Sequence, residues 1–530
     1  MPGFDAIVIG SGFGGSVTAC RLAEAGHKVL VLERGRRWAS KDLPRAPGDA
    51  WIWDQYRPEK RNGWLDLRIF PDMVVAAGAA VGGGSLIYAN VSINAKPDSF
   101  DQGWPPEITY RELKPHYDTV GRMLNLQKLP PNQLTARVKL LKEGAEKLGH
   151  GDKFEQLDLA VSFDPAWNYE QQDPFNPAKS KKFINAFGRE QGTCVHLGNC
   201  DIGCDVGAKN TLDMNYLAQA ENKGAQVRSL HMVRAVSPEA GGYRVSFDRL
   251  EGGTRVPGSE TARIVIVSAG SLGSTELLLR CRDQHRTLPE ISSFLGRNWS
   301  SNGDLVTPSL HIGRLLRMSR GPTIAGAVDF LGPRALDGHH LYLEEGGLPN
   351  VVRTWLEKAK RDPMARLRYA AMTRAVLHGA KVDKLFDEGF LWFGQSRDAA
   401  DGRFRLRRRW WGVAGQKKLH LDWDIKASEA TMNAFAALHR RMAVATGGTA
   451  FVLPTWTVLK NLVTPHPLGG CNMGTSPENG VVDHRGEVFG YRNLFVLDGA
   501  IVPEALGLNP SKTIAALAER AAGTIVKEGR

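Results

Sequence analysis

Apolar runs broken by glycine turns mark three strong blocks along the chain. Residues 1–35 carry the run Ala6-Ile7-Val8-Ile9, a glycine turn, a helical pattern through Ala19, Leu22 and Ala23 that stops at Gly26, and a second run Val29-Leu30-Val31-Leu32. Short continuous apolar runs predict strands covered on both faces, joined here through a helix. Residues about 192–305 contain Ile264-Val265-Ile266-Val267 followed by Ser268-Ala269-Gly270, again strand then turn. Residues about 460–530 hold glycine loops, the strand Leu494-Phe495-Val496-Leu497 and a closing helix from about Ser511.

Between these blocks the pattern is weaker and richer in polar, Trp and Pro residues. Apolar positions spaced by four, with many basic residues, predict one long or two shorter amphipathic helices from Val351 to Phe386. Arg403-Phe404-Arg405-Leu406-Arg407 and Leu419-His420-Leu421-Asp422-Trp423 alternate with period two around Gly412 and Gly415, which predicts a hairpin. The same alternation accounts for the Arg407-Arg408-Arg409-Trp410-Trp411 run without nucleic acid. The uncharged stretch from Met73 to Ala95 is long enough for a membrane span. Its glycines and asparagines predict strand and loop instead.

Composition narrows the function classes. A chain of 530 residues, 42% hydrophobic, suggests about two to four domains and needs no disulfide or metal to fold. The net charge of +12 is dilute, and suits an anionic cofactor, an acidic partner or a membrane surface equally. Six cysteines are not a disulfide framework. P-loop, HExxH and GxSxG motifs are missing, so the commonest signs of an NTPase, a zincin or a serine hydrolase are missing too. Met1-Pro2-Gly3-Phe4 leads directly into the first strand, so a cytoplasmic protein without signal peptide is expected.

The first chemical signal is Gly10-Ser11-Gly12-Phe13-Gly14-Gly15, set between strand and helix. Gly10 permits the tight turn, Gly12 the approach of backbone to a pyrophosphate, and Gly15 the packing of helix on sheet. The helix start offers unpaired N–H groups to phosphate. Glu33, 18 residues after Gly15 at the end of the second strand, suits adenosine ribose hydroxyls. This block alone does not separate NAD from FAD. Val81-Gly82-Gly83-Gly84-Ser85 adds a second loop able to lay N–H groups against phosphate or a flavin ring. Asp498, in Asn493 to Gly499, is read as accepting from cofactor hydroxyls, with capping of the next element as the alternative.

Together these motifs resemble the glucose–methanol–choline (GMC) family of FAD oxidoreductases, in its cholesterol oxidase-like branch. The other matching pieces are Ser268 to Ser274, His466-Pro467-Leu468-Gly469-Gly470-Cys471, Gly480-Val481-Val482-Asp483, and Gly507-Leu508-Asn509-Pro510 before Thr513 to Arg520. Their order and spacing agree over a little more than half the chain.

The resemblance implies an α/β fold with a Rossmann-like FAD-binding domain built from 1–95, 192–305 and 460–530. A sheet-based substrate domain would come from 96–191 and 306–459. It implies oxidation of an alcohol, a base taking the hydroxyl proton while hydride passes to flavin N5. His466 would be the base-side residue and Asn509 its partner. A histidine titrates near neutrality, and an amide orients oxygen without changing charge. Asn509 has an alternative as a helix-start cap. Glu344 matches the glutamate that moves a proton over a steroid ring. Its neighbour Glu345, and an exposed turn carrying both acids, are the alternatives.

Cofactor contacts are expected from Gly10, Gly12, Phe13, Gly14, Gly15, Glu33, Arg34, Gly83, Gly84, Ser85, Asn90, Val233, Ala269, Gly270, Asp498, Gly499, Asn509 and Pro510. The Gly83–Asn90 loop has no histidine, so the FAD is expected to be non-covalent. Cys194, Cys200 and Cys204 have no zinc or ferredoxin spacing and are expected to be reduced structural thiols without metal. The expected substrate is a bulky apolar, sterol-like alcohol, with oxygen or a carrier accepting electrons. The alternative is a dehydrogenase on an aryl, terpenoid or long-chain alcohol that uses a carrier. Nucleic acid is not expected, peripheral membrane contact is left open, and oligomeric state is not readable.

Overall fold

The computed structural model describes residues 3–167, 176–361, 382–408, 417–452, 456 and 462–530. Two sheets organise them. The first has the order Gln226–Arg228, Val29–Leu32, Phe4–Ile9, Thr254–Val267, Gly242–Glu251, His231–Glu239, with Leu494–Val496 also on Thr254–Val267. Phe4–Ile9 runs parallel to both of its neighbours, and Leu494–Val496 is parallel to the far end of Thr254–Val267. Almost every residue of Phe4–Ile9 and all of Val29–Leu32 are buried, which is why these strands are continuously apolar. The near half of Thr254–Val267 pairs antiparallel with Gly242–Glu251 and is half-exposed. Only its buried end stands out in the sequence.

The helix Phe13–Glu24 packs on the closing helix Ser511–Lys527 and on Tyr216–Asn222. Glu519 ties the three together, accepting from Arg21 at 2.7 Å and from the Tyr216 hydroxyl at 2.6 Å.

The second sheet is antiparallel throughout. Its order is Thr449–Ala450, Leu305–Leu310, Gly389–Ser396, Leu341–Gly346, Gly326–Phe330, Phe154–Gln156. A three-stranded sheet of Leu462–Thr464, Met73–Gly78 and Leu65–Ile69 completes the surroundings of the site. Met73 to Ala95 is strand, a short 3₁₀ turn at Gly83–Leu86, and loop. The expected hairpin is Arg403–Arg408 paired with Lys417–Asp422. Its turn, with Arg409, Trp410 and Trp411, lies outside the described residues. Of the helical stretch expected from Val351 to Phe386, helices cover Asn350–Arg361 and Val382–Glu388, and 362–381 lie outside the described residues. Among the described residues no helix is long and apolar enough to cross a membrane.

Candidate active site

One cavity of about 950 Å³ runs from the glycine turn of the first sheet to the face of the second. Its dinucleotide end is built by steric necessity. Gly10 has φ +96°, and a Cβ there would come within 2.4 Å of the Ser268 carbonyl oxygen. A Cβ on Gly14 would meet the Leu497 carbonyl at 1.7 Å, and one on Gly15 the Gly10 carbonyl at 2.1 Å. These glycines let the helix start lie against three strand ends. At Gly12 a Cβ would meet nothing within 4 Å, because the position faces the cavity. No side chain caps this helix, so its first N–H groups stay available to an anion.

Glu33 is buried beside the turn. One carboxylate oxygen accepts from the Ser11 N–H (3.1 Å) and hydroxyl (2.7 Å), the other from the Gly35 N–H (2.9 Å). Arg34 is held by Asp66 at 2.9 Å and lies over the Trp53 ring. Asp66 also pairs with Arg68, and Arg68 with Glu276, giving the wall a fixed ionic frame. Asp498 accepts from the N–H groups of Gly270 (2.8 Å) and Ala500 (2.7 Å) and from the Ser274 hydroxyl (2.5 Å). It therefore caps two elements while lining the cavity, and burial pushes its carboxyl up to about 6.

Gly10, Gly12, Phe13, Gly14, Glu33, Arg34, Gly83, Gly84, Val233, Ala269, Gly270, Asp498, Gly499, Asn509 and Pro510 all line this cavity. Gly15, Ser85 and Asn90 do not stand on its wall. Gly15 is spent on packing. The Ser85 hydroxyl is spent on the chain, donating to the Gly82 carbonyl and accepting from the Leu212 N–H. Asn90 has φ 69° and a fully buried amide with neither atom paired. An orphaned amide behind the wall, open space at Gly12 and an uncapped helix start together fit a large anionic ligand with polar edges.

His466 lies where the two sheets meet. The strand Leu462–Thr464 leads into its loop, and Ser300 pairs with Leu468 to pin that loop to the segment before Leu305. That segment supplies Asp304. Its carboxylate, 1% exposed, stands 2.8 Å from His466 Nδ1, and the Thr464 hydroxyl lies 2.5 Å from its other oxygen. The ring proton therefore sits on Nδ1, and Nε2 carries the lone pair. Burial alone would push the imidazole down. The Asp304 charge and hydrogen bond, with help from Glu344, outweigh it, and the pKa lies above the ordinary histidine value.

Asn509 lines the same cavity with its side-chain oxygen unpaired. The following helix has Pro510 at its cap position and no side-chain cap, so the amide is not used there. Asn302 fixes the turn, accepting from the Gly507 N–H (2.9 Å) and donating to the Leu508 carbonyl (2.8 Å).

Glu344 and Glu345 sit on the strand Leu341–Gly346, both fully buried, rather than in an exposed turn. Strand alternation sends them to opposite faces. Glu345 faces Arg137 at 3.0 Å and accepts from the Ala325 N–H. Glu344 faces His466 and Asn509 and accepts from the Gln395 amide at 3.1 Å. The Asn509 side chain also lies within hydrogen-bonding reach of this carboxyl, and burial nonetheless pushes it up to about 8. A neutral carboxyl beside a carboxylate-held imidazole can store and move a proton. Asp304 has no sequence signal, being 162 residues from His466 and outside any motif.

All six cysteines are free thiols, and Cys204 accepts from the Ala208 N–H. Among the described residues no group of three or more His, Cys, Asp or Glu side chains is arranged to hold a metal.

A dinucleotide turn opening into a chamber with a base-type histidine defines a flavin-type alcohol oxidoreductase site. Comparison with known proteins agrees. Residues 8–41 match the model of an NAD(P)-binding Rossmann-like domain, and 175–299 and 400–518 match GMC oxidoreductase models. A cholesterol oxidase of Acinetobacter baumannii is 32% identical over 98% of this chain and 93% of its own. One from Mycobacterium tuberculosis is 32% identical over 100% and 92%. The fold is also similar to pyridoxine 4-oxidase from Mesorbium loti, with TM-score 0.65, 17% identity and 98% of each chain covered. A fungal aryl-alcohol oxidase gives TM-score 0.60 at 15% identity over 99% of each. The chain belongs to the GMC oxidoreductase family, in its cholesterol oxidase-like branch. It is an FAD-dependent alcohol oxidoreductase, with a small-molecule alcohol as substrate and an electron acceptor as partner.

Proposed function

We propose that the protein oxidises the hydroxyl of a bulky apolar, sterol-like alcohol, with His466 as the base. The observation that carries this reading is the Asp304–His466 pair, which commits Nδ1 and leaves Nε2 to take a proton. Residues fit to hold non-covalent FAD are the helix start at Gly12–Gly15, Glu33 and Arg34 at the ribose end, Gly83 and Gly84, and the Asp498–Gly499 and Asn509–Pro510 turns. When bound, FAD supplies the acceptor for the hydride.

His466 Nε2 takes the hydroxyl proton as the carbon gives up hydride, and Asp304 stabilises the imidazolium that results. Asn509 stands on the chamber wall between Glu344 and the alcohol site, where its amide can orient the alcohol hydroxyl without adding charge. The chamber wall beyond is largely apolar, with Val306, Ile324, Leu348, Leu391 and Phe393, and excludes water from a large hydrocarbon. Simple alcohol oxidation does not need Glu344. A buried carboxyl protonated below about pH 8 supports a second proton movement, such as shifting a ring double bond.

Anaerobic mixing with sterols, aryl alcohols and fatty alcohols, followed by air, tests the proposal. Sterols should bleach the flavin fastest, and recovery on air identifies oxygen as acceptor. Bleaching by fatty or aryl alcohols alone would overturn the sterol reading.

A further inference from the structure

The substrate end of the cavity has a polar feature that alcohol oxidation leaves unused. Asp201, on the short turn Cys200–Ile202, and Thr323 both line it, on the same cavity as His466. Thr323 is 4% exposed, and its hydroxyl makes no hydrogen bond of good geometry. It lies beside the Asp201 carboxyl, which burial holds at about 6, well above the ordinary carboxylate range. Lys209 is near but does not quench the acid. Its ammonium spends its three N–H bonds on the carbonyls of Leu86 (2.9 Å), Tyr88 (2.9 Å) and Cys200 (2.7 Å). The Thr323 hydroxyl meets the Asp201 carboxyl only loosely, so on this apolar stretch of wall both groups keep hydrogen-bonding capacity for a further partner.

Their place in the fold gives the spacing. The Thr323 carbonyl accepts from the Gly347 N–H at 2.7 Å, so Thr323 sits beside Gly347. Gly347 is three residues beyond Glu344, the carboxyl that faces His466, and extended chain covers about 10 Å in three residues. The stretch between is walled by Ile324, Leu391 and Phe393.

We infer that Asp201 and Thr323 form a second anchor in the chamber, binding another hydroxyl of the substrate about 10 Å from the one that is oxidised. A hydroxyl suits both partners, since it accepts from Thr323 and donates to Asp201. An ammonium would bring a second cation beside Lys209 and could not accept from Thr323. The substrate is then a rigid apolar alcohol with polar groups at both ends, rather than one ending in a plain alkyl tail. This inference rests on the bulky-alcohol reading and narrows it.

The test uses the holoenzyme and anaerobic rapid mixing. Two 3-hydroxysteroids differing only in a 17-hydroxyl are titrated while flavin bleaching is followed. The diol should half-saturate at a concentration about 10-fold or more below its 17-deoxy partner, as expected for a hydrogen bond to a charged group. Asp201→Leu and Thr323→Val should each erase most of that advantage while leaving half-saturation by the 17-deoxy steroid and its limiting rate unchanged. Equal half-saturation by the two steroids in the native protein overturns the inference alone. Variants that weaken both steroids equally also overturn it, since that pattern marks a structural role. Failure of both steroids to bleach the flavin, with bleaching by other alcohols, overturns the bulky-alcohol reading and this inference with it.

Discussion

Replacing Asp304 by Asn tests the proton chemistry at one atom. Asp304 is 1% exposed and 2.8 Å from His466 Nδ1, so solvent screens the pair very little. A hydrogen bond to such a charge contributes about 1.5–3 kcal/mol, which corresponds to about 1–2 pH units of imidazole basicity. Proton abstraction needs the neutral ring. In the native protein the rate of flavin reduction therefore rises with pH through a His466 pKa raised above the ordinary value. In Asp304→Asn the burial that lowers this pKa loses its main opponent, and the acid limb should move down by about 1–2 units. The plateau should fall as well. A less basic imidazole is a weaker base, and an amide can turn its NH₂ toward Nδ1 and drive the ring proton onto Nε2. A loss of about 10²- to 10⁴-fold is expected. The assay is anaerobic rapid mixing with saturating alcohol from pH 5 to 9, with retained flavin colour showing that the fold and cofactor site survive. A variant with unmoved acid limb and unchanged plateau would refute Asp304 as the residue that sets His466.

Other outcomes follow from the same geometry. His466→Ala should keep its FAD, since the ribose and phosphate contacts lie elsewhere, and reduce it about 10²- to 10⁴-fold more slowly in rapid mixing. Combined with Asn509→Leu, the loss should fall short of the product of the single effects, because both residues address one alcohol oxygen. Glu344 ionises at about 8 in the folded protein against 4.5 ordinarily. Between those values the unfolded chain holds fewer protons than the folded one, so this group's contribution to stability falls as pH rises. Glu344→Gln should therefore gain on the native protein from pH 5 upward, by about 3 kcal/mol at pH 7, read by denaturant melts at fixed pH. A constant difference across pH would show that Glu344 ionises normally. Glu33→Ala should weaken FAD retention by about 1–3 kcal/mol, measured by reconstitution of apoprotein, and unchanged affinity would remove Glu33 from the ribose site.

The sequence by itself determined the parts whose causes are local. The strand–turn–helix at Phe4–Glu24, the hairpin at Arg403–Asp422 and the closing helix are legible because side-chain periodicity and glycine geometry act over a few residues. The 14-residue strand Thr254–Val267 was legible only at its apolar end, since its other half faces solvent and reads as polar. Family motifs pointed to His466, Asn509 and Glu344 but not to what each side chain does with its neighbours. Whether Glu344 or Glu345 faces His466 depended on the phase of one strand against a sheet assembled from distant segments. Asp498 reads in the sequence as a ligand or a cap, and folding shows its oxygens already occupied by Gly270, Ser274 and Ala500. Asp304, and Asp201 beside Thr323, were visible only in three dimensions. A buried charge is tuned by whatever lies within a few ångströms of it, and for His466 with Asp304 and for Asp201 with Thr323 that neighbour lies more than a hundred residues away along the chain.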